Sequence, residues 1–434
     1  MENRPSWSSQ FAFILSAVGS AVGLGNIWRF PYVMGKNGGA VFLIVYLTLI
    51  ISVCVVPLLA EMILGKVTQK DTIGAFSVIN SKFRLFGRLN VITAILVSSF
   101  YFVVGGWIIY YIFNSFSLVN ISDFGQYFDN LVVSPLFAVL FSVIFLLICC
   151  FFVYRGVNRG IELANKIMMP IFGILLIALM FVSLNLPNAD LGLKFMFSPD
   201  FSKLSFSMIL AALGQALFTL SIGMGAILTY GSYLKKEDSV LKSAYSIIFA
   251  DTVFALLAGI MIFPAVFSFG LEPDSGAGLV FITLPKIFTQ MQYGGFVALG
   301  FFSLLFFAAL TSGISIIEVI VASFIGSFNI SRAKASVLTA FIIGALIVPV
   351  ALSFGVLNNV RIFGMNIFDS FDFITSNLFM PLNSLLVCFV VGWFVKLAND
   401  TVFKSEILHK LLMFMMKFVL PVLLLSLIVI GLKG

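Results

Sequence analysis

The chain of 434 residues is 61% hydrophobic and only 10% charged, with 51 phenylalanines and a formal charge of +7; its mean hydropathy is +1.14. That composition excludes a soluble globule. The excess of Lys and Arg does not mark a nucleic-acid binder, because these residues are spread over short loops between apolar spans, where membrane topology accounts for them.

Windows able to cross about 30 Å of hydrocarbon fall at 9–35, 40–65, 88–118, 134–154, 161–184, 206–232, 240–270, 294–325, 334–354, 366–395 and 408–432. They predict an all-α polytopic membrane protein with eleven transmembrane helices. The first window lacks a small-residue cleavage pattern and reads as a retained helix, not a signal peptide. It is interrupted by Gly19, Gly23, Gly25, Asn26, Arg29 and Pro31, where a membrane helix should be uniformly apolar. Broken backbone at membrane depth survives only where it lines a cavity. The sixth window carries a second interruption, from Thr219 through Gly223 to Gly225. Paired breaks in corresponding positions of two halves point to the binding site of a carrier.

Basic residues gather on alternate loops: Lys66, Lys70, Lys82, Arg84 and Arg88; then Arg155 and Arg159; then Lys235, Lys236 and Lys242; then Arg332 and Lys334; then Lys396, Lys404 and Lys410. The opposite loops (119–133, 185–205, 271–293, 355–365) carry only Lys194, Lys203, Lys286 and Arg361, against Asp123, Asp129, Asp190, Asp200, Glu272 and Asp274. The positive-inside rule places the N-terminus in the cytoplasm and, after eleven crossings, Gly434 outside. The protein is expected in the cell membrane as a multi-pass chain. Residues 9–184 and 206–395 then form two blocks of five spans, each opening on its broken helix and entering from opposite sides. That is a 5+5 inverted repeat, with 408–432 as an extra helix and 1–434 as one transmembrane transporter domain. Sequence identity between the halves is slight.

Ionisable groups at membrane depth are expensive and functional by default. Arg29 and Asp372 fall at the outer ends of their windows and can form an outer gate. Glu61 can accept from amides freed by a helix break. Glu318 reads as structural, either a satisfied ion pair or a side chain snorkelling to the interface. Oxygen-rich fragments suited to a hard cation such as sodium lie at 20–26, 219–221, Asp251 and 308–312. Cys54, Cys149, Cys150, Cys388 and the lone His409 have neither disulfide nor metal-ligand spacing. No nucleophile–base pair or phosphate loop suggests an enzyme, and nothing calls for an obligatory protein partner or for nucleic acid.

The Gly-Leu-Gly-Asn-x-x-Arg-Phe-Pro string at 23–31 resembles the neurotransmitter:sodium symporter family, in particular its bacterial eleven-helix amino-acid transporters with the leucine-transporter fold. Trp7, 37–39, Tyr101, Trp107, 155–162, Met169, Pro170, 214–233, Pro264, 282–285, 310–312 and 369–381 match it too. The resemblance implies two sodium sites. One would use the Ala21 carbonyl, Asn26, Thr219, Asp251 and the substrate carboxylate. The other would use the carbonyls of Gly19, Val22 and Ala308 with the hydroxyls of Thr311 and Ser312. Ser20, Ala21, Leu24, Gly25, Val97, Tyr101, Val104, Phe218, Thr219, Ser221, Met224, Ser312 and Ile316 would frame the substrate. Tyr101 would bond its carboxylate, and Phe218 would close beneath an outer gate of Arg29, Gln215 and Asp372.

The same resemblance implies further details. Gly23 stands where monoamine carriers place an aspartate, which argues for an α-amino acid. Asp251 stands where chloride-dependent members are neutral, with Ala250 the alternative by a one-residue slip. Met224 replaces a phenylalanine of the leucine carrier and favours larger side chains. Gly160 and Pro170 match a motif thought to unwind the fifth helix, an ordinary proline kink being the alternative. The family's inner gate pairs an arginine with an aspartate; Arg4, Ser232 and Tyr233 are present, but the acid's position falls at Gly326, within 324–327, where no acid occurs. The expected function is sodium-coupled uptake of tyrosine, tryptophan, phenylalanine or leucine by alternating access, independent of chloride. The alternatives are a proton-coupled relative, with Lys166 in place of the second sodium, and a substrate-sensing receptor, which would carry an appended signalling domain.

Overall fold

A computed structural model describes residues 5–271, 278–395 and 406–432. The first window splits into α1 (Gln10–Ala21) and α2 (Gly25–Lys36), which meet at 49°. There follow α3 (Ala40–Thr68), α4 (Thr72–Ile79), α5 (Ser81–Asn114), α6 (Phe124–Val133), α7 (Pro135–Tyr154), α8 (Val157–Leu184) and α9 (Ala189–Phe197). The second half comprises α10 (Phe206–Thr219), α11 (Ala226–Gly231), α12 (Val240–Ser268), α13 (Leu279–Phe288), α14 (Gly294–Phe328), α15 (Arg332–Phe354), α16 (Ile367–Phe394) and α17 (Glu406–Gly431).

Among the described residues nine helices are long and apolar enough to cross a membrane, and the bent pair α1–α2 makes ten. The remaining expected crossing, 206–232, is divided into α10 with 14 residues and α11 with 6. Neither piece is long enough to span alone, so length and composition do not by themselves count eleven.

Helices apolar on every face must be buried or face lipid, and both cases occur. The long α5 and α14 are buried along most of their length, whereas α7, α8, α15 and α17 turn a broad face outward. Phe151, Ile174 and Phe341 are exposed there. α5 packs against both α14 and α7. Close approach to α7 requires Gly106, because a Cβ at that position would lie 2.5 Å from the Ser142 amide nitrogen.

Three loop expectations change. The basic stretch 66–88 holds a helix, α4, capped by Asp71, whose Oδ1 accepts from the Ile73 and Gly74 amides at 3.0 Å each. The third span begins at Ser81, earlier than 88. The loops opposite hold α6, α9 and α13, helices too short or too polar to pass as crossings.

Candidate substrate and sodium site

Two helix breaks face one another, and side chains collect the backbone groups that they free. α1 ends at Ala21, and Val22 turns extended. The Ser20 carbonyl then accepts from Ser221 Oγ at 2.8 Å and Ser312 Oγ at 3.0 Å. The Gly23 amide donates to Asn26 Oδ1 at 3.1 Å. Between α10 and α11, Ser221, Gly223 and Gly225 take φ values of 54, 83 and 77°. Gly223 is obligatory: its φ is left-handed, and a Cβ would lie 2.2 Å from the Met380 carbonyl oxygen. Glu61, wholly buried on α3, accepts from the Gly223 amide at 2.7 Å and the Leu228 amide at 3.2 Å. Its two oxygens thus take up two of the amides freed at the break. Asn383 Nδ2 donates to the freed Gly223 carbonyl at 2.8 Å.

Asp251 is also wholly buried. Its Oδ1 accepts from Asn26 Nδ2 at 2.9 Å and Thr219 Oγ1 at 3.1 Å, and its Oδ2 from Tyr46 at 3.4 Å. Two of the residues expected around the first sodium, Asn26 and Thr219, therefore converge on the carboxylate of a third, Asp251, the three drawn from three helical segments. Ala250 stands half-buried outside that cluster. In the second expected set, Ser312 Oγ reaches the Gly19 carbonyl at 3.4 Å, and Thr311 Oγ1 bonds back to Phe307 and Ala308 carbonyls at 3.0 and 3.1 Å. Val22 is buried at the break itself. Back-bonding is the ordinary state of a membrane-helix hydroxyl. The donor set, oxygen throughout, nonetheless suits a hard cation.

Beside these clusters lies a cavity of about 20 Å³, room for about one water. Eleven of the thirteen expected substrate residues line it, together with Gly23; Val104 and Thr219 do not. Val104 faces the chamber above, and Thr219 turns its hydroxyl to Asp251. A Cβ on Gly23 would lie 2.5 Å from Ser312 Oγ and 3.3 Å from the Tyr101 hydroxyl, so the wall has no room for an acid there. The Tyr101 side chain is buried in the wall of this cavity beside Leu24 and Ser312.

Phe218 forms the roof, with the Arg29 guanidinium 4.3 Å above its ring. Over it opens a vestibule of about 390 Å³ bounded in part by Trp28, Arg29, Phe100, Asp369 and Asp372. Arg29 and Asp372 share this chamber, but among the described residues they form no ion pair within 4.0 Å. Asp372 accepts instead from Ser376 Oγ at 2.9 Å. Gln215 Nε2 donates to the Gly25 carbonyl at 2.9 Å. The two charges do not touch directly in this conformation.

The other end is sealed. Trp7 is wholly buried; its Nε1 donates to the Tyr230 carbonyl at 3.0 Å and its ring meets that of Tyr230 edge-on at 5.1 Å. Ser8 donates its amide to Glu162 at 3.1 Å, and its hydroxyl bonds there as well. Glu318 takes Arg332 in a two-point ion pair at 2.7 and 2.8 Å and the Tyr233 hydroxyl at 2.6 Å. The structural role expected of Glu318 holds. Arg4 lies outside the described residues. At Gly326 a Cβ would lie 2.0 Å from Asp71 Oδ2. The position that lacks an acid thus has one pressed against it from the cap of α4, a residue that reading along the eighth window alone could not find.

Residues 4–123 and 131–433 match the profile of the sodium:neurotransmitter symporter family. The chain is a member of that family. An uncharacterized sodium-dependent transporter of Bacillus subtilis is 40% identical over 393 residues, covering 89% of this chain and 87% of the relative. One of Haemophilus influenzae is 34% identical over 414 residues, covering 91% and 90%. The crystal structure of MhsT in complex with L-phenylalanine superposes with a TM-score of 0.90 at 44% identity, covering 98% of this chain and 99% of that one. The sodium symporter family and the leucine-transporter fold are shown together, and the protein is a multi-pass transporter, not an enzyme.

Proposed function

We propose that the protein takes up hydrophobic and aromatic L-amino acids with sodium, by alternating access and without chloride. The observation that carries this reading is the convergence of Asn26, Thr219 and Asp251 beside the pocket that Tyr101 and Phe218 bound. A buried carboxylate is costly unless a positive charge joins it. Bound sodium supplies that charge and links it to the substrate's own carboxylate. Asn26, Thr219 and Asp251 hold the cation, and Tyr101 donates to the substrate. Thr311 and Ser312 hold a second cation with the Gly19, Val22 and Ala308 carbonyls. Phe218 shuts the pocket, after which Arg29, Gln215 and Asp372 close the vestibule. The L-phenylalanine bound by MhsT supports an amino-acid substrate, and Met224 in the pocket wall supports a large one.

The reading includes a cytoplasmic N-terminus, an extracytoplasmic C-terminus and the repeat of 9–184 by 206–395. A proton-coupled reading would need a cation in the second sodium position. Lys166 is held by Glu162 at 2.6 Å with its side chain 46% exposed, which turns it away from Thr311 and Ser312. Uptake into proteoliposomes of a labelled amino-acid panel tests the proposal. Saturable uptake of phenylalanine, tyrosine, tryptophan or leucine should vanish when choline replaces sodium. Uptake indifferent to that replacement refutes sodium coupling, and preference for tyramine refutes the amino-acid reading.

A further inference from the structure

α8 carries a buried amide that neither the substrate pocket nor the expected sodium shells use. Asn165 is wholly buried, and its Nδ2 donates to the Ile161 carbonyl at 2.9 Å. That bond fixes which way the amide points, because only the NH₂ group can meet a carbonyl. It leaves Oδ1 as a pure acceptor, and Oδ1 has no hydrogen-bond partner among the described residues. Each such buried orphan in a folded protein asks for a reason.

Its surroundings supply one. A Cβ on Gly19 would lie 1.9 Å from Asn165 Oδ1 and 3.3 Å from Thr311 Cβ. The amide oxygen therefore presses into the angle between the end of α1 and Thr311 on α14, where the second sodium is expected. A weak contact with the Gly19 Cα–H is the packing alternative. It would account for glycine at 19, but an apolar side chain at 165 would pack there without stranding an acceptor.

We propose that the Asn165 side-chain carbonyl is a further ligand of the second sodium site, so that the cation ties α8 to α1 and α14. This rests on reading Gly19, Val22, Ala308, Thr311 and Ser312 as that site. A neutral amide oxygen is an ordinary ligand for a hard cation and adds no charge. It also gives sodium a mechanical connection. Asn165 holds Ile161, inside the π-wound stretch Val157–Glu162, and Glu162 at the end of that stretch holds Ser8 beside the buried Trp7. Loss of the cation would loosen the start of α8 and, through it, the N-terminal seal.

The test uses purified full-length protein and two readouts apart from transport. One is the sodium concentration for half-maximal binding of labelled L-phenylalanine; the other is the rise in melting temperature with sodium alone. Asn165→Ala should raise the first several-fold and shrink the second, with phenylalanine binding intact at saturating sodium. Asn165→Asp, which restores an oxygen and adds a charge, should move both back toward or beyond the unmodified protein. Thr311→Ala and Ser312→Ala are measured alongside. If they weaken sodium dependence while both Asn165 variants leave it unchanged, Asn165 only packs and the inference is overturned. If all four leave it unchanged, the second-site reading itself is wrong and takes the inference with it. Should Asn165→Ala fail to fold, Asn165→Leu, which fills the same volume without an acceptor oxygen, takes its place and is judged by the same two outcomes.

Discussion

Asp251 is the residue whose chemistry is most exposed to test. It is one carboxylate with three donors and, among the described residues, no cationic partner within 4.0 Å. Asp251→Asn removes the charge while keeping the shape, so sodium loses a full negative ligand and the Asn26 amide meets another amide. Unmet groups of this kind cost about 1–3 kcal/mol. Sodium-dependent uptake should fall by an order of magnitude or more in chloride-free buffer and recover in part when chloride is added. Strong chloride stimulation of the unmodified protein would falsify the idea that Asp251 replaces the anion.

Asp71 offers a second residue-scale test. Its Oδ1 caps α4 while its Oδ2 lies against Gly326. Asp71→Asn preserves a competent cap but removes the charge from the inner face. Cysteines placed along the cytoplasmic pathway should then react faster with a water-soluble thiol reagent in sodium, and Asp71→Ala/Gly326→Asp should slow that labelling again. Equal labelling rates in all three proteins would show that the carboxylate merely caps.

At the scale of elements, the long spans were legible because hydrocarbon thickness sets a length that few soluble segments imitate. The breaks were legible because glycine, asparagine and arginine are conspicuous at such depth. What stayed hidden obeyed other rules. α4, α6, α9 and α13 are short and stabilised by docking on the bundle, so they read as loops. Asp71 and Asn165 act across space on residues far away in the chain, and no window contains both partners. Glu61 was foreseen as an acceptor for freed amides, and its two bonds bear on how α11 is held. In Glu61→Gln one oxygen becomes a donor facing an amide, and a charge-assisted pair is lost. The detergent-solubilised protein should lose about 2 kcal/mol of stability, read as a fall in melting temperature, and sodium should stabilise it less. A melting temperature equal to the unmodified protein's would mean that the break is held mainly by Asn383 and packing.

At the scale of the whole molecule, one end is sealed and the other open. Trp7 and Ser8 bind the N-terminal segment to α11 and α8, while a chamber of about 390 Å³ remains above Phe218. On the proposed orientation, this asymmetry fits a carrier resting with its outer vestibule accessible and its pocket shut by a single aromatic ring. Arg29 already lies on that ring at 4.3 Å and Asp372 stands across the chamber, so closing needs the two walls to approach until the charges meet. A pair formed in only one conformation shifts the balance between conformations by its own differential energy and nothing more. Arg29→Ala removes both the pair and the cation above Phe218, yet leaves Asn26, Thr219, Asp251 and Tyr101 in place. Sodium-dependent binding of phenylalanine should therefore remain measurable while net uptake falls at least tenfold, about 1.4 kcal/mol in the closing step. Arg29→Lys should recover part of the rate, since it restores charge but not the planar stack. Uptake at the unmodified rate in Arg29→Ala, with binding also unchanged, would remove these two charges from the transport cycle.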